Sequence, residues 1–197
     1  KKGDIANVGN FVGPASRIQR IAANFDSSTP IEPVADIPTT GAPGERVVDN
    51  PDGSVDRITF GSGARVPNAL TFDKHGNLYV SDSFQGAIFN IDNPNACVPA
   101  CVAQKWAHDP LLATAGFPPF GANGLAFNEH DAALFIANTG DDRVLKIDPV
   151  TKVVSVFAES INGADGIAFD RRGRLWVAAN QNDEVVALNT KGRVIVR

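Results

Sequence analysis

The sequence predicts an all-β chain, a β-propeller of four-stranded antiparallel blades, on three observations. The first is a repeat: "NALTFDKHGNLYVSDSFQGAIFNID" from Asn68, "NGLAFNEHDAALFIANTGDDRVLKID" from Asn123 and "DGIAFDRRGRLWVAANQNDEVVALN" from Asp165 align along their length. The second is spacing. A strand starting at Leu78, Leu134 or Leu175 is followed ten residues later by one starting at Ile88, Val144 or Val185. The third is the period, 42 residues from Asn123 to Asp165, with helix-period segments nearly absent. Repeats of about 40–50 residues that each carry four short strands make propeller blades.

Taken in order, each repeat opens with Asn or Asp and a strand that ends in Phe72, Phe127 or Phe169. A polar turn follows, "DKHG", "NEHDA" or "DRRG", whose residue types favour tight reversal. Second and third strands come next. The second repeat then adds "KVVSVFA" and the third "GRVIVR", alternating runs suited to an exposed edge strand. Between Asn68 and Asn123 the period lengthens to 55 residues, because a loop carrying both cysteines is inserted.

Toward the N-terminus, "DIANVGN" (residues 4–10) resembles "FIANTGD" (residues 135–141), and "SRIQRI" resembles "DRVLKI". The chain is therefore expected to start inside a blade, at its second strand, with the first strand upstream of Lys1. Residues 24–67 are rich in Pro, Gly, Ser, Asp and Thr, with one strand expected in "SVDRITF". They read as a strand or two and a long loop over one end of the propeller. The expected division is an incomplete blade plus this Pro/Gly-rich loop over 1–67, a blade with the Cys-containing insertion over 68–122, and blades over 123–164 and 165–197. About three and a half blades result. An open arc leaves unpaired edges, so the remainder of the propeller is expected from further chain segments or a separate piece. The first residue is Lys1 and the chain contains no Met, which reads as loss of the natural start.

Composition narrows the function classes. With 43% hydrophobic and 20% charged residues the chain is globular in type, and no apolar run approaches the roughly 18 residues of a membrane helix. A net charge of −4 argues against a nucleic-acid surface. The one basic cluster, Arg171, Arg172 and Arg174, falls in an expected hairpin turn. Cys97 and Cys101 lack the further ligands zinc needs; they read as a small disulfide or as two thiols. The disulfide would place the protein in the periplasm or outside the cell, with the cytoplasm as the alternative.

The first strand of each blade lines the channel, so Asn68, Asn123 and Asp165 should gather at one mouth. Two amide carbonyls and a carboxylate are hard oxygen donors of the kind calcium prefers. Asn and Asp at strand ends also satisfy backbone groups. Recurrence at one phase in three repeats, with Gly124 and Gly166 behind two of them, favours a divalent-metal site.

Here the motifs resemble a known family. "NGLAF…LFIANTG…VLKID" and "DGIAF…GRLWVAA…VVALN" are similar to the gluconolactonase/regucalcin (senescence-marker-protein-like) family over roughly residues 68–197. The resemblance implies a six-bladed propeller with a divalent metal, most often calcium, in its channel, and hydrolysis of lactones or related esters. It assigns metal ligation to Asn123 and Asp165, and metal or substrate contact to Asn68. The family's further Glu, on the first strand of an earlier blade, is carried onto neither Glu32 nor Glu45, since neither sits in a matching context. In the implied reaction water attacks a carbonyl polarised by the cation, and Asp165 is the catalytic base in preference to a direct nucleophile.

Weaker substrate-binding candidates are Phe117, Phe120 and His108, with Trp106 as a further aromatic that would wall a pocket beside the channel. His75 and His130 fall in turns and are expected to be solvated. Asp82 and Asn138 end second strands and are expected to bind backbone. No Gly-x-Ser-x-Gly elbow or phosphate-binding loop is present. The partner expected is a small-molecule lactone or ester, with no nucleic acid and no membrane. The rival reading is a non-catalytic propeller of NHL type that binds a protein, peptide or glycan, and a third is a strictosidine-synthase-like propeller without the metal set.

Overall fold

The computed structural model describes residues 16–61 and 63–197. Three four-stranded antiparallel sheets follow one another along the chain. The first contains β5 (Pro67–Phe72), β6 (Leu78–Asp82), β7 (Ala87–Ile91) and β9 (Gln104–His108). The second contains β10 (Ala122–Phe127), β11 (Leu134–Asn138), β12 (Arg143–Ile147) and β13 (Val154–Glu159). The third contains β14 (Ala164–Phe169), β15 (Leu175–Ala179), β16 (Glu184–Leu188) and β17 (Val194–Val196). The propeller expectation is met.

Burial follows strand position. β6, β7 and β11 are buried along their whole length, and they carry continuous apolar or small residues rather than alternation. That is the pattern of a strand covered on both faces. The outer strand β13 is mostly exposed or half-buried. Neighbouring sheets share cores. Phe135, Val144 and Ala158 of the second pack with Val177 and Leu188 of the third.

The turns between strands rest on side-chain chemistry. Asp73, Asp170 and Asn189 each accept backbone N–H groups two and four residues on, at 2.9–3.1 Å. Gly76, Gly173 and Gly192 then take φ of 84°, 71° and 74°, which a side chain would oppose. At Asp170 the Trp176 indole N–H, helped by Arg174 and its backbone, holds the carboxyl well below the usual carboxylate range. "NEHDA" lacks the glycine. His130 and Asp131 take the positive φ themselves, 65° and 55°, and the turn becomes a short 3-10 segment.

A further sheet precedes the three. β1 (Arg17–Arg20) pairs antiparallel with β2 (Glu32–Asp36), which pairs parallel with β8 (Cys101–Val102) from the insertion. Val34, Ala35 and Ile37 of this sheet pack against Val80 and Phe89. "SRIQRI" thus forms a strand, whereas "DIANVGN" lies outside the described residues. Cys97 and Cys101 form a disulfide, which closes the insertion where it joins β2.

Residues 24–67 carry more strand than the sequence promised. Besides β4 (Val55–Ile58), within the expected "SVDRITF", they contain β2 and β3 (Arg46–Asp49). β3 and β4 form a hairpin of their own. Among the described residues no helix is long and apolar enough to cross a membrane.

Candidate functional site

The innermost strands β5, β10 and β14 lie side by side, β10 between the other two. This brings Asn68, Asn123 and Asp165 to neighbouring positions at one end of the sheets. The backbones approach closely between the second and third sheets. A Cβ at Gly124 would lie 2.1 Å from the Asp165 carbonyl oxygen and 3.0 Å from the Ile167 nitrogen. Gly124 is therefore required by strand-to-strand contact rather than by a turn, which explains an Asn-Gly pair within a strand. Between the first and second sheets Ser81 helps to join the strands: its Oγ accepts from Ala69 N at 3.0 Å and donates to the Asn123 carbonyl at 2.7 Å.

Each site residue is anchored by the residue that follows its second strand. Asn68 Nδ2 donates to Ser83 Oγ at 3.1 Å, and Asn123 Nδ2 donates to Thr139 Oγ1 at 3.0 Å. Asn180 Nδ2 donates to Asp165 Oδ2. The hydroxyls then donate across to the next sheet, Ser83 to the Ala122 carbonyl and Thr139 to the Ala164 carbonyl, both at 2.7 Å. The side chains are held by one atom each, and Asn68 Oδ1, Asn123 Oδ1 and Asp165 Oδ1 are the oxygens these anchors do not use. Asn123 is buried, Asp165 half-buried and Asn68 exposed. Sequence reading passed over Ser83, Thr139 and Asn180, although they share one phase of the repeat as clearly as the residues they hold.

Asp82 and Asn138 do bind backbone. Asp82, fully buried, accepts from Val66 N, Phe84 N, Gln85 N and Gln85 Nε2 at 3.0–3.2 Å. Burial pushes its carboxyl above the usual range despite these donors. Asn138 Nδ2 donates to the Leu111 and Ala113 carbonyls. His75 and His130 are exposed in turns at the opposite end of their blades. Arg174 pairs with Asp170 at 2.6 Å, so the basic cluster is a solvated turn.

The weaker candidates separate. Phe120 leans on Phe84, ring centroids 5.7 Å apart, at the same end as Asn68. Phe117 is 80% exposed there, its carbonyl held by Gln181 Nε2. His108 closes the outermost strand β9, three strands from β5 and hence roughly 14 Å away at normal strand spacing. Trp106 stands away from the channel. It lies on β9 too, edge-on to Tyr79 at 5.2 Å with Lys152 Nζ 3.7 Å above its ring. Burial there raises the Tyr79 hydroxyl to about 12.

The β3–β4 hairpin reaches over this same end. Arg46 Nη1 pairs with Asp141 Oδ2 at 2.6 Å, both side chains about one-tenth exposed, and Nη2 donates to the Ala113 carbonyl. The guanidinium also sits 5.2 Å from the Phe60 ring centroid. Glu32 and Glu45 are engaged elsewhere, in pairs with Arg20 at 2.8 Å and Arg57 at 2.5 Å. Among the described residues no three His, Cys, Asp or Glu side chains cluster, so any metal held here would rest on amide oxygens as well as Asp165.

Comparison with known proteins agrees with this architecture. Residues 117–197 match the family model "SMP-30/Gluconolactonase/LRE-like region", which bears out the resemblance over that part of the chain. No curated protein sequence matches. Among solved structures the chain is similar to virginiamycin B lyase from Staphylococcus aureus, with 14% identity and a TM-score of 0.52 over 81% of this chain and 56% of that one. It is also similar to a putative gluconolactonase, with 20% identity and a TM-score of 0.51 over 78% and 55%. A gluconolactonase from Xanthomonas campestris gives 16% identity and 0.51 over 84% and 64%. The chain thus spans little more than half the length of the first of these structures, and the likeness is one of fold.

Proposed function

We propose that the protein is a metal-dependent hydrolase of a lactone or related ester, with Asn68, Asn123 and Asp165 as the residues that hold a divalent cation, calcium by preference. One observation carries this reading. Three hard oxygens stand on adjacent innermost strands, each on a side chain whose other polar atom is tied back by Ser83, Thr139 or Asn180. Such anchoring leaves one oxygen of each side chain outside these bonds and available to a shared ligand. Amide and carboxylate oxygens suit calcium, which completes its six to eight positions with water or substrate. The matched family model and the gluconolactonase neighbours support the same class.

When bound, the cation would supply polarisation of the substrate carbonyl. Asp165 holds the other role. With Oδ1 the oxygen that would hold the cation, Oδ2, whose second lone pair the Asn180 amide leaves open, takes the proton lost as water adds to the carbonyl carbon. The ring C–O bond then breaks and the proton passes to the departing alkoxide, leaving a hydroxy acid. Asn123, buried and fixed at both its amide nitrogen and its backbone, would offer its amide oxygen to the cation and moves no proton. The Cys97–Cys101 disulfide supports an oxidising compartment, periplasmic or extracellular.

Metal content by plasma mass spectrometry, on the protein and on Asp165→Ala, tests the reading together with acid release from a lactone panel. Near-stoichiometric calcium that the variant loses, with lactone hydrolysis lost alongside, is the expected result. A metal-free protein without lactonase activity would overturn it and leave the NHL-type binding propeller.

A further inference from the structure

Beside the segment that follows β4 lies a cavity of about 240 Å³, walled by Phe60, Phe84, Ala113 and Pro119, with Gly61 and Ser83 at its border. Its position ties it to the candidate site, because Ser83 is also the residue that holds Asn68. Its roof is fixed, since Phe60 is stacked by Arg46, which the buried Asp141 pair locks in place.

Its chemistry is one-sided. Among the described residues the lining carries no charged side chain, and its two hydroxyls are already committed. Ser83 Oγ donates to the Ala122 carbonyl and accepts from Asn68. Thr114 Oγ1 donates to Asp141 Oδ1 at 2.5 Å and accepts from Gly116 N. A polyhydroxylated ring placed here would find both side-chain hydroxyls already engaged, and each of its groups turned toward Phe60, Phe84, Ala113 or Pro119 would stay unpaired at about 1–3 kcal/mol. An apolar group loses nothing in the exchange and gains roughly 25 cal/mol for every Å² it buries. The volume is below the roughly 300–1,000 Å³ of pockets for drug-sized ligands, and it suits one ring or a short acyl chain.

We infer that this cavity takes an aryl or short alkyl substituent of the substrate, so that the preferred substrates are apolar-substituted lactones or esters rather than sugar lactones. The inference rests on the hydrolase reading for where the carbonyl lies and goes beyond it in naming the substrate class.

Gly61 supplies the test. A Cβ added there meets nothing within 4 Å, and its φ is not in the left-handed region. Gly61→Leu therefore adds a bulky side chain at the cavity's border without backbone strain, and Gly61→Ala controls for the backbone change. Two measurements are made on the protein in its full chain. One is kcat/KM for dihydrocoumarin, D-glucono-δ-lactone and unsubstituted δ-valerolactone. The other is equilibrium binding of chroman, a non-hydrolysable bicyclic ether, against tetrahydropyran by NMR titration. Dihydrocoumarin is expected to be the best substrate by at least tenfold, and chroman to bind where tetrahydropyran does not. Gly61→Leu is expected to reduce the dihydrocoumarin-to-valerolactone ratio and the chroman affinity at least tenfold each. Chroman binding that Gly61→Leu abolishes, with no lactone hydrolysed, upholds the cavity assignment and overturns only the hydrolase reading. A preference for gluconolactone, or chroman binding indifferent to Gly61→Leu, overturns the inference.

Discussion

At the scale of single residues the site depends on side chains that never face a ligand. Thr139 is the clearest case. Its hydroxyl accepts from Asn123 Nδ2 and donates to the Ala164 carbonyl, so one buried oxygen orients an amide and ties two sheets together. Thr139→Val keeps the shape but leaves both partners unpaired, and the destabilisation is expected to be about 1–3 kcal/mol. Loss of orientation is a separate effect, read by terbium or calcium titration: Thr139→Val should weaken binding about tenfold, while Thr139→Ser, which keeps the hydroxyl, should bind as the parent does. Weakening in Thr139→Ser with none in Thr139→Val would mean that packing of the methyl group, not the hydrogen bond, is what counts. The sequence made Asn123 and Asp165 visible because Asn and Asp advertise oxygen chemistry. It hid Thr139 and Ser83, because a hydroxyl after a strand has the same composition whether it holds a ligand or only a loop. Gly124 was visible as a glycine but not for its reason, which is the backbone of a strand 42 residues onward in the next sheet.

Among the elements, the repeated strands were legible and the β3–β4 hairpin was not. Strand patterns such as "LYVSD" and "LFIAN" open on an apolar run and end in a polar residue at a recurring phase, whereas β3 is four residues long and flanked by turn formers. What holds the hairpin over the mouth is mainly one long-range pair, Arg46 with Asp141, 95 residues apart in sequence. No local pattern announces such a contact. Because both side chains are largely buried, removing one charge strands the other, and Asp141→Asn is expected to cost about 3 kcal/mol. The loss should be local. Hydrogen exchange and proteolysis within residues 46–58 should accelerate while the sheets melt nearly as before. Replacing both partners, Arg46→Met with Asp141→Leu, should recover most of the loss in a double-mutant cycle. Unchanged exchange in Asp141→Asn would show that the Ala113 carbonyl and the Phe60 stack suffice to hold the hairpin.

For the molecule as a whole, blades are joined by a ladder of aromatic contacts whose rungs share one phase of the repeat. Phe127, ending the first strand of one sheet, meets Tyr79 on the second strand of the preceding sheet at 4.9 Å, edge to face. Phe169 meets Phe135 in the same way at 5.1 Å. The next rungs on either side would involve Phe72 and Trp176. Phe72 is 54% exposed, and the described strands β1, β2 and β8 that precede its sheet carry no aromatic residue. Trp176 is covered instead by Arg174 of its own blade, 5.2 Å from the ring centroid. This geometry sets an unequal response to one chemical change. Phe127→Ala and Phe169→Ala remove a ring from between two sheets and are expected to cost about 3 kcal/mol each by urea unfolding of residues 1–197. Phe72→Ala removes a ring that is half in water and should cost less than about 1 kcal/mol. If Phe72→Ala proves as costly as the other two, its ring is covered in solution. Repeating the measurement at several protein concentrations then identifies the cover. A penalty that grows with concentration means a second copy seated on β5, and a constant one means an inner strand supplied by the chain itself.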